Sequence, residues 1–285
     1  MPKTPKRVLI LVALVVSSWW LVLVPQLPAQ QSIDVRIERW LSIQEMVGDV
    51  RYLSQTGSRA AAIGDRLTAV GDGVRTGNDA SSTLILDTGV GTITMQNNTE
   101  LEVRGLEFAD DNGYITHLYV SQGGVSLNLR RFTHEGSELE IQTPSGVSGV
   151  RGTEFGVLVD PDDQRMGIAT ETGEVYAAAQ AETVTVQGGF QTLIRPGEPP
   201  LEPTPIPDVP EFDSQVEIVV RNSLRYLLLR GQIDPINQVY VEDELQTVNE
   251  AGEFEYEVLA RYGVGIQVRV VTPLGNEAVY DVPLL

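Results

Sequence analysis

Glu138-Leu139-Glu140-Ile141-Gln142 runs straight into Thr143-Pro144-Ser145-Gly146-Val147-Ser148-Gly149-Val150-Arg151-Gly152-Thr153-Glu154-Phe155. The first five residues alternate strictly, with Leu139 and Ile141 on one side and the carboxylates on the other. That period of two belongs to a strand with one buried and one wet face. Gly146, Gly149 and Gly152 then allow close backbone approach or a turn inside a β framework.

The same grammar extends outward. Thr83-Leu84-Ile85-Leu86 is a β-rich run that stops at Asp87-Thr88-Gly89, and Thr183-Val184-Thr185-Val186 repeats the pattern. Glycine punctuates the segments at Gly64, Gly71, Gly77, Gly89, Gly113, Gly173 and Gly188-Gly189. Ser32 to Met46 has a mixed pattern that fits a short helix or a lead-in strand. The 285 residues hold 27 Gly and 16 Pro, and long runs of helix formers are missing outside the N-terminus. The expected class is all-β.

Residues 196–211 hold Pro196, Pro199, Pro200, Pro203, Pro205, Pro207 and Pro210. Proline removes a ladder donor, so a central strand is excluded and an extended, semi-rigid spacer is expected. Beyond it, Val216/Ile218/Val220, Phe254/Tyr256/Val258 and Ile266/Val268/Val270 alternate, with turn signals at Asp234-Pro235, Asn249 to Gly252 and Gly275-Asn276. Residues 212–285 therefore read as a small β-sandwich.

Met1 to Arg7 is basic, Val8 to Val24 is apolar apart from two serines, and Ala29 precedes a polar run. These are the parts of a secretory signal, with cleavage after Ala29. An uncleaved anchor over residues 8–24 is the competing expectation. Either way the rest of the chain is expected in the periplasm or at the cell surface, in contact with the inner membrane only if residues 1–29 stay attached. The formal charge is −19, and loss of Lys3, Lys6 and Arg7 with that segment takes it to −22. Such a surface repels phosphate backbones, which excludes nucleic-acid binding. The absence of cysteine removes disulfides, thiol nucleophiles and thiolate metal sites.

Residues 47–195 resemble the FecR domain family nearly end to end. The resemblance is carried by Ala62-Ile63-Gly64-Asp65-Arg66-Leu67, Gly71-Asp72-Gly73-Val74-Arg75-Thr76-Gly77, Leu84-Ile85-Leu86-Asp87-Thr88-Gly89 and Leu101-Glu102-Val103. Thr143 to Phe155 is its most specific piece, and Gly173-Glu174-Val175-Tyr176 and Gly188-Gly189-Phe190-Gln191 close it. It implies an all-β FecR-type domain, a jelly-roll or solenoid-like sandwich, outside the cytoplasmic membrane. In the best-known members that domain regulates an extracytoplasmic sigma factor through a helical cytoplasmic segment. Only Met1 to Arg7 precedes the apolar run here, so that role is not expected of this chain by itself. Residues 212–285 resemble, more loosely, bacterial immunoglobulin-like modules, through Val239-Tyr240-Val241-Glu242, Glu250-Ala251-Gly252-Glu253-Phe254 and Val270 to Asn276.

For function, Thr143, Pro144, Gly146, Arg151, Gly152, Thr153, Glu154 and Phe155 form either a partner-contact loop or a structural turn in which Arg151 is tied to a carboxylate or carbonyls. His117 and His134 lack a second His or Cys at ligand spacing, so no metal site and no cofactor are expected. Asp110-Asp111-Asn112-Gly113 and Asp160-Pro161-Asp162-Asp163 read as acidic turns, with a calcium site as the alternative although neither run has the calcium-loop spacing. No nucleophile elbow, phosphate loop or metalloprotease helix is present. The expectation is a non-enzymatic envelope interaction and sensor module with a protein partner. The alternative is a structural protein associated with cell-wall glycan.

Overall fold

The computed structural model describes residues 38–260 and 265–283. The signal or anchor expected over residues 1–29 lies outside them. The described residues form strands and turns without a helix, as the glycine and β-branched content led one to expect.

The first body is a sandwich of two sheets. One sheet runs, by pairing, through Leu41–Val47, Ser81–Leu86, Gly91–Met95, Glu154–Val159, Met166–Thr172 and Phe190–Ile194. The other runs through Gly57–Ala60, Val50–Ser54, Gly73–Thr76, Glu100–Phe108, Glu138–Gln142, Val147–Val150, Glu174–Ala179 and Glu182–Gln187. The sixteen-residue strand Tyr114–Leu129 belongs to both. Its first half pairs with Glu100–Phe108 and, in parallel, with Glu138–Gln142. Its second half pairs with Gly91–Met95 and Glu154–Val159 in the opposite sheet.

That change of sheet requires the strand to exchange its faces. Thr116, Leu118 and Val120 point inward in the first half, and Val125, Leu127 and Leu129 in the second. The inward parity flips from even to odd, so the register must slip by one residue between them. Gly123 takes the slip at a φ of +81°, and a Cβ there would lie 2.5 Å from Thr99 Cα. Between the sheets lies one continuous core that includes Leu84, Ile93, Leu118, Ile141, Phe155 and Val175. It begins at Leu41, so the unresolved choice over residues 32–46 falls to a strand for Leu41–Val47, and the domain starts before residue 47.

The C-terminal residues form a second sandwich with its own core of Leu229, Val239, Phe254, Val268 and Val270, among others. Phe212–Arg221, Leu224–Ile233 and Glu253–Leu259 make a three-stranded sheet. Glu244–Gln246, Gln238–Val241, Ile266–Val271 and Glu277–Val282 make the other.

The spacer expected over residues 196–211 needs correction. Thr204–Pro205 is a short edge strand on Phe190–Ile194, Leu201 N donates to Leu193 O at 3.0 Å, and Ile206 N to Gly189 O at 2.9 Å. Proline is compatible with an edge because its missing N–H faces away from the ladder. Nor is the C-terminal sandwich held apart from the first. Arg165 Nε donates to Pro235 O at 2.8 Å and Gln191 Nε2 to Asp234 Oδ2 at 2.9 Å. Gly156 and Gly167 on the outer face of the first sandwich give the close approach. A Cβ at Gly156 would lie 1.9 Å from Pro273 O, and one at Gly167 would lie 2.7 Å from Ile236 O. This cover explains why Gly156, Val157, Leu158 and Val159 are all buried although consecutive strand residues face opposite ways. Gly156→Val should drive the two bodies apart at a cost of roughly 1–3 kcal/mol. Faster limited proteolysis within residues 196–211 would report it; unchanged cleavage would contradict this packing.

Candidate functional site

Thr143 to Phe155 is not one loop. Thr143, Pro144, Ser145 and Gly146 make the tight turn between Glu138–Gln142 and Val147–Val150, where Thr143 N donates to Gly146 O at 2.9 Å. The Thr143 hydroxyl donates to the same carbonyl at 3.0 Å, and Pro144 supplies a preset φ. Four strand residues later, Arg151, Gly152 and Thr153 carry the chain across to the other sheet. Gly152 is at φ +97°, and a Cβ there would lie 2.3 Å from Arg131 Cα and 2.5 Å from Arg130 O. Thr153 O accepts from Leu129 N at 3.0 Å. Phe155 is wholly buried in the first core, and Glu154 is exposed on the opposite sheet. The glycines, Thr143 and Phe155 therefore do structural work. Arg151 is exposed and, among the described residues, forms no ion pair with a carboxylate. Its backbone carbonyl accepts from Phe132 N at 3.4 Å.

Arg151 stands at the end of an outer face formed by the sheet that the C-terminal sandwich does not cover. One row across that sheet reads Gly105, His117, Glu140, Gly149 and Tyr176 in register. Gly149 is the reason the row connects. A Cβ there would lie 1.9 Å from the Tyr176 ring, so the ring lies across the glycine and reaches a strand two ladder spacings away, about 9–10 Å. The Tyr176 hydroxyl donates to Glu140 Oε1 at 2.7 Å. Burial, then this bond to Glu140, push the Tyr176 phenol above its ordinary range, with Arg151 opposing, so the hydroxyl stays a donor. His117 Nε2 lies 3.4 Å from Glu138 Oε1 and 3.7 Å from Glu140 Oε2. The strict alternation of Glu138 and Glu140 is visible in the sequence. Their meeting with His117, more than twenty residues earlier, is not, because it depends on the parallel pairing with Tyr114–Leu129.

On the opposite outer face a groove of about 560 Å³ lies where the first sandwich meets residues 274–276. Thr92, Asn128, Glu154 and Glu171 line it, with Asn276 from the C-terminal sandwich. Its lining is rich in hydroxyls, amides and carboxylates. The only aromatic ring at its wall, Phe155, is buried and offers no stacking platform.

In the two acidic turns, Asp111 and Asp160 have both carboxylate oxygens engaged. Asp111 Oδ1 accepts from Gly113 N at 2.9 Å and Oδ2 from Gly136 N at 3.0 Å, which pulls its carboxyl below the usual range. Asp160 Oδ1 accepts from Asp162 N at 2.9 Å, and Oδ2 pairs with Arg165 at 2.9 Å. Desolvation pushes the Asp160 carboxyl up against the pull of Arg165.

No curated protein matches the chain. Two crystal structures of a "putative anti-sigma factor" from Parabacteroides distasonis are similar to it, each at 17% identity and a TM-score of 0.39. Each alignment covers 46% of this chain and 58% of the other, so the chain spans less than two thirds of those proteins. Residues 72–176 match the family described as FecR protein, a regulatory rather than enzymatic family, and that span contains the turn at Thr143, Arg151 and the whole row from His117 to Tyr176.

Proposed function

We propose that the chain is an exported sensor module of the cell envelope that binds a protein partner in the periplasm or at the cell surface. The observation that carries this reading is Arg151. It is the exposed cation of the most FecR-specific segment, it has no carboxylate partner among the described residues, and it borders an open polar face. The basic and apolar N-terminal segment and the absence of cysteine support export. The C-terminal sandwich, with its first, second and fifth strands in one sheet and the other four opposite, supports an immunoglobulin-like platform docked on the far face.

Arg151→Glu tests the reading. Because the side chain is exposed and unpaired, stability should change by less than about 0.5 kcal/mol. Reversing a contact charge should weaken partner capture at least about tenfold, equivalent to roughly 1.4 kcal/mol. Capture equal to that of the unaltered chain sinks the contact role. A steep loss of stability would return Arg151 to a structural one.

The polar groove at Asn128 and Glu154 favours the second reading, association with cell-wall glycan. Co-sedimentation with purified wall polysaccharide that Glu154→Gln abolishes would support it over the first.

A further inference from the structure

His117, Glu138 and Glu140 place one nitrogen and two oxygen donors on the open outer face, all within 4.8 Å of one another. The separations are informative. A charge-assisted hydrogen bond from an imidazolium to a carboxylate measures about 2.7–2.9 Å. Donors held about 2.0–2.2 Å from one tetrahedral ion stand roughly 3.3–3.6 Å from each other. His117 Nε2 is 3.4 Å from Glu138 Oε1 and 3.7 Å from Glu140 Oε2. The first falls in the ligand-to-ligand range and at the long limit of a hydrogen bond, and the second falls just beyond both.

Two further features point the same way. Glu140 Oε1 is already taken by the Tyr176 hydroxyl, which leaves Oε2 turned toward His117. A hydroxyl or amide that fixes a ligating carboxylate in this manner is the usual outer-sphere support of a metal centre. Glu138 and Glu140 also stand on the same side of one strand, and among the described residues neither forms an ion pair with Lys or Arg. Like charges at that spacing repel unless a cation lies between them. Gly105 leaves room beside the imidazole, since even a Cβ there would come 3.3 Å from His117 Nδ1.

We propose that His117, Glu138 and Glu140 bind one first-row divalent transition ion, with Tyr176 as the residue that positions Glu140. The mixed imidazole and carboxylate set suits zinc or a similar ion rather than calcium, which favours an all-oxygen shell. Three protein ligands leave a fourth position open to water or to a donor from a bound molecule. This inference is independent of the protein-partner reading, since it concerns the ion alone.

The test uses the full chain without a polyhistidine tag, stripped with a chelator and titrated calorimetrically with ZnCl2. CoCl2 is titrated in parallel, with visible absorption reporting the coordination geometry. One saturable ion per chain is expected, with strong tetrahedral cobalt bands. His117→Ala should abolish both signals. Glu138→Gln, a near-isostere at a half-buried position on the outer face, should weaken binding at least about tenfold. Absence of a saturable site in the unaltered chain, or zinc binding by the His117→Ala and Glu138→Gln variants equal to that of the unaltered chain, would overturn the proposal.

Discussion

Arg39→Met should lower the stability of the chain by about 3–5 kcal/mol, the usual cost of leaving one member of a buried ion pair without its partner. Arg39 is 4% exposed and fills the end of the first sandwich where its two sheets meet. Its Nη2 lies 2.7 Å from Asp87 Oδ2 and its Nε 3.0 Å from the same oxygen. Its Nη1 donates to Glu107 O at 3.0 Å and to Ile115 O, Nη2 donates to the Thr116 hydroxyl at 2.8 Å, and the guanidinium stacks 4.6 Å from the Tyr114 ring. Asp87 belongs to one sheet's turn, and Glu107, Ile115 and Thr116 to the other sheet. One side chain therefore ties both layers to the start of the domain. Methionine keeps much of the volume but leaves the Asp87 carboxylate with the Trp40 N–H at 3.0 Å as its remaining donor. The measurement is the urea midpoint at unchanged slope. A loss below about 1 kcal/mol would mean that water reaches Asp87 and that the latch is not closed.

Phe155→Ala should be about as costly, at roughly 3–5 kcal/mol, because it removes a large ring from a close-packed core. Phe155 is 0% exposed and heads the largest fully buried side chains. Its strand neighbours in register are Leu127 on one side and Thr170 on the other. Its own strand and the neighbouring Met166–Thr172 are pinned by the C-terminal sandwich over Gly156 and Gly167, so the surroundings cannot collapse readily into the space. Since domains of this kind have only about 5–15 kcal/mol in total, the variant should lie close to unfolding at physiological temperature. Thermal unfolding followed by near-ultraviolet circular dichroism would show it. A loss under about 1.5 kcal/mol would place the ring in a core that relaxes.

The fold class was legible because alternation survives in the strands that face water. Leu139 and Ile141, Leu84 and Leu86, and Val268 and Val270 are buried on the faces that their spacing selects. What the spacing did not carry is contact between layers. Gly156-Val157-Leu158-Val159 reads as four apolar residues, and only the structure shows that the C-terminal sandwich covers the second face. Prolines from 196 onward suggested a spacer, but their compatibility with an edge let the segment lie along Phe190–Ile194. Arg39 sits in a stretch without clear periodicity, and its partners are 48 to 77 residues away.

The candidate site was legible in part. The chemistry of Thr143, Gly152 and Phe155 follows from turn geometry and burial, both visible in their types. Arg151 needed the structure, because an exposed, unpaired guanidinium and a buried, paired one are written with the same letter. His117, Glu138, Glu140 and Tyr176 needed it more. His117, Glu140 and Tyr176 share a row only because a parallel strand pair and two glycines at 105 and 149 bring five separate strands into register.

The most direct measurement is site-specific photocrosslinking in living cells, with the crosslinker placed at position 151 in one variant and at position 128 in another. A partner on the outer face that the C-terminal sandwich leaves open predicts a single envelope-protein adduct from position 151 and none from position 128. Protein adducts from position 128 alone, or no protein adduct from position 151, would contradict the account.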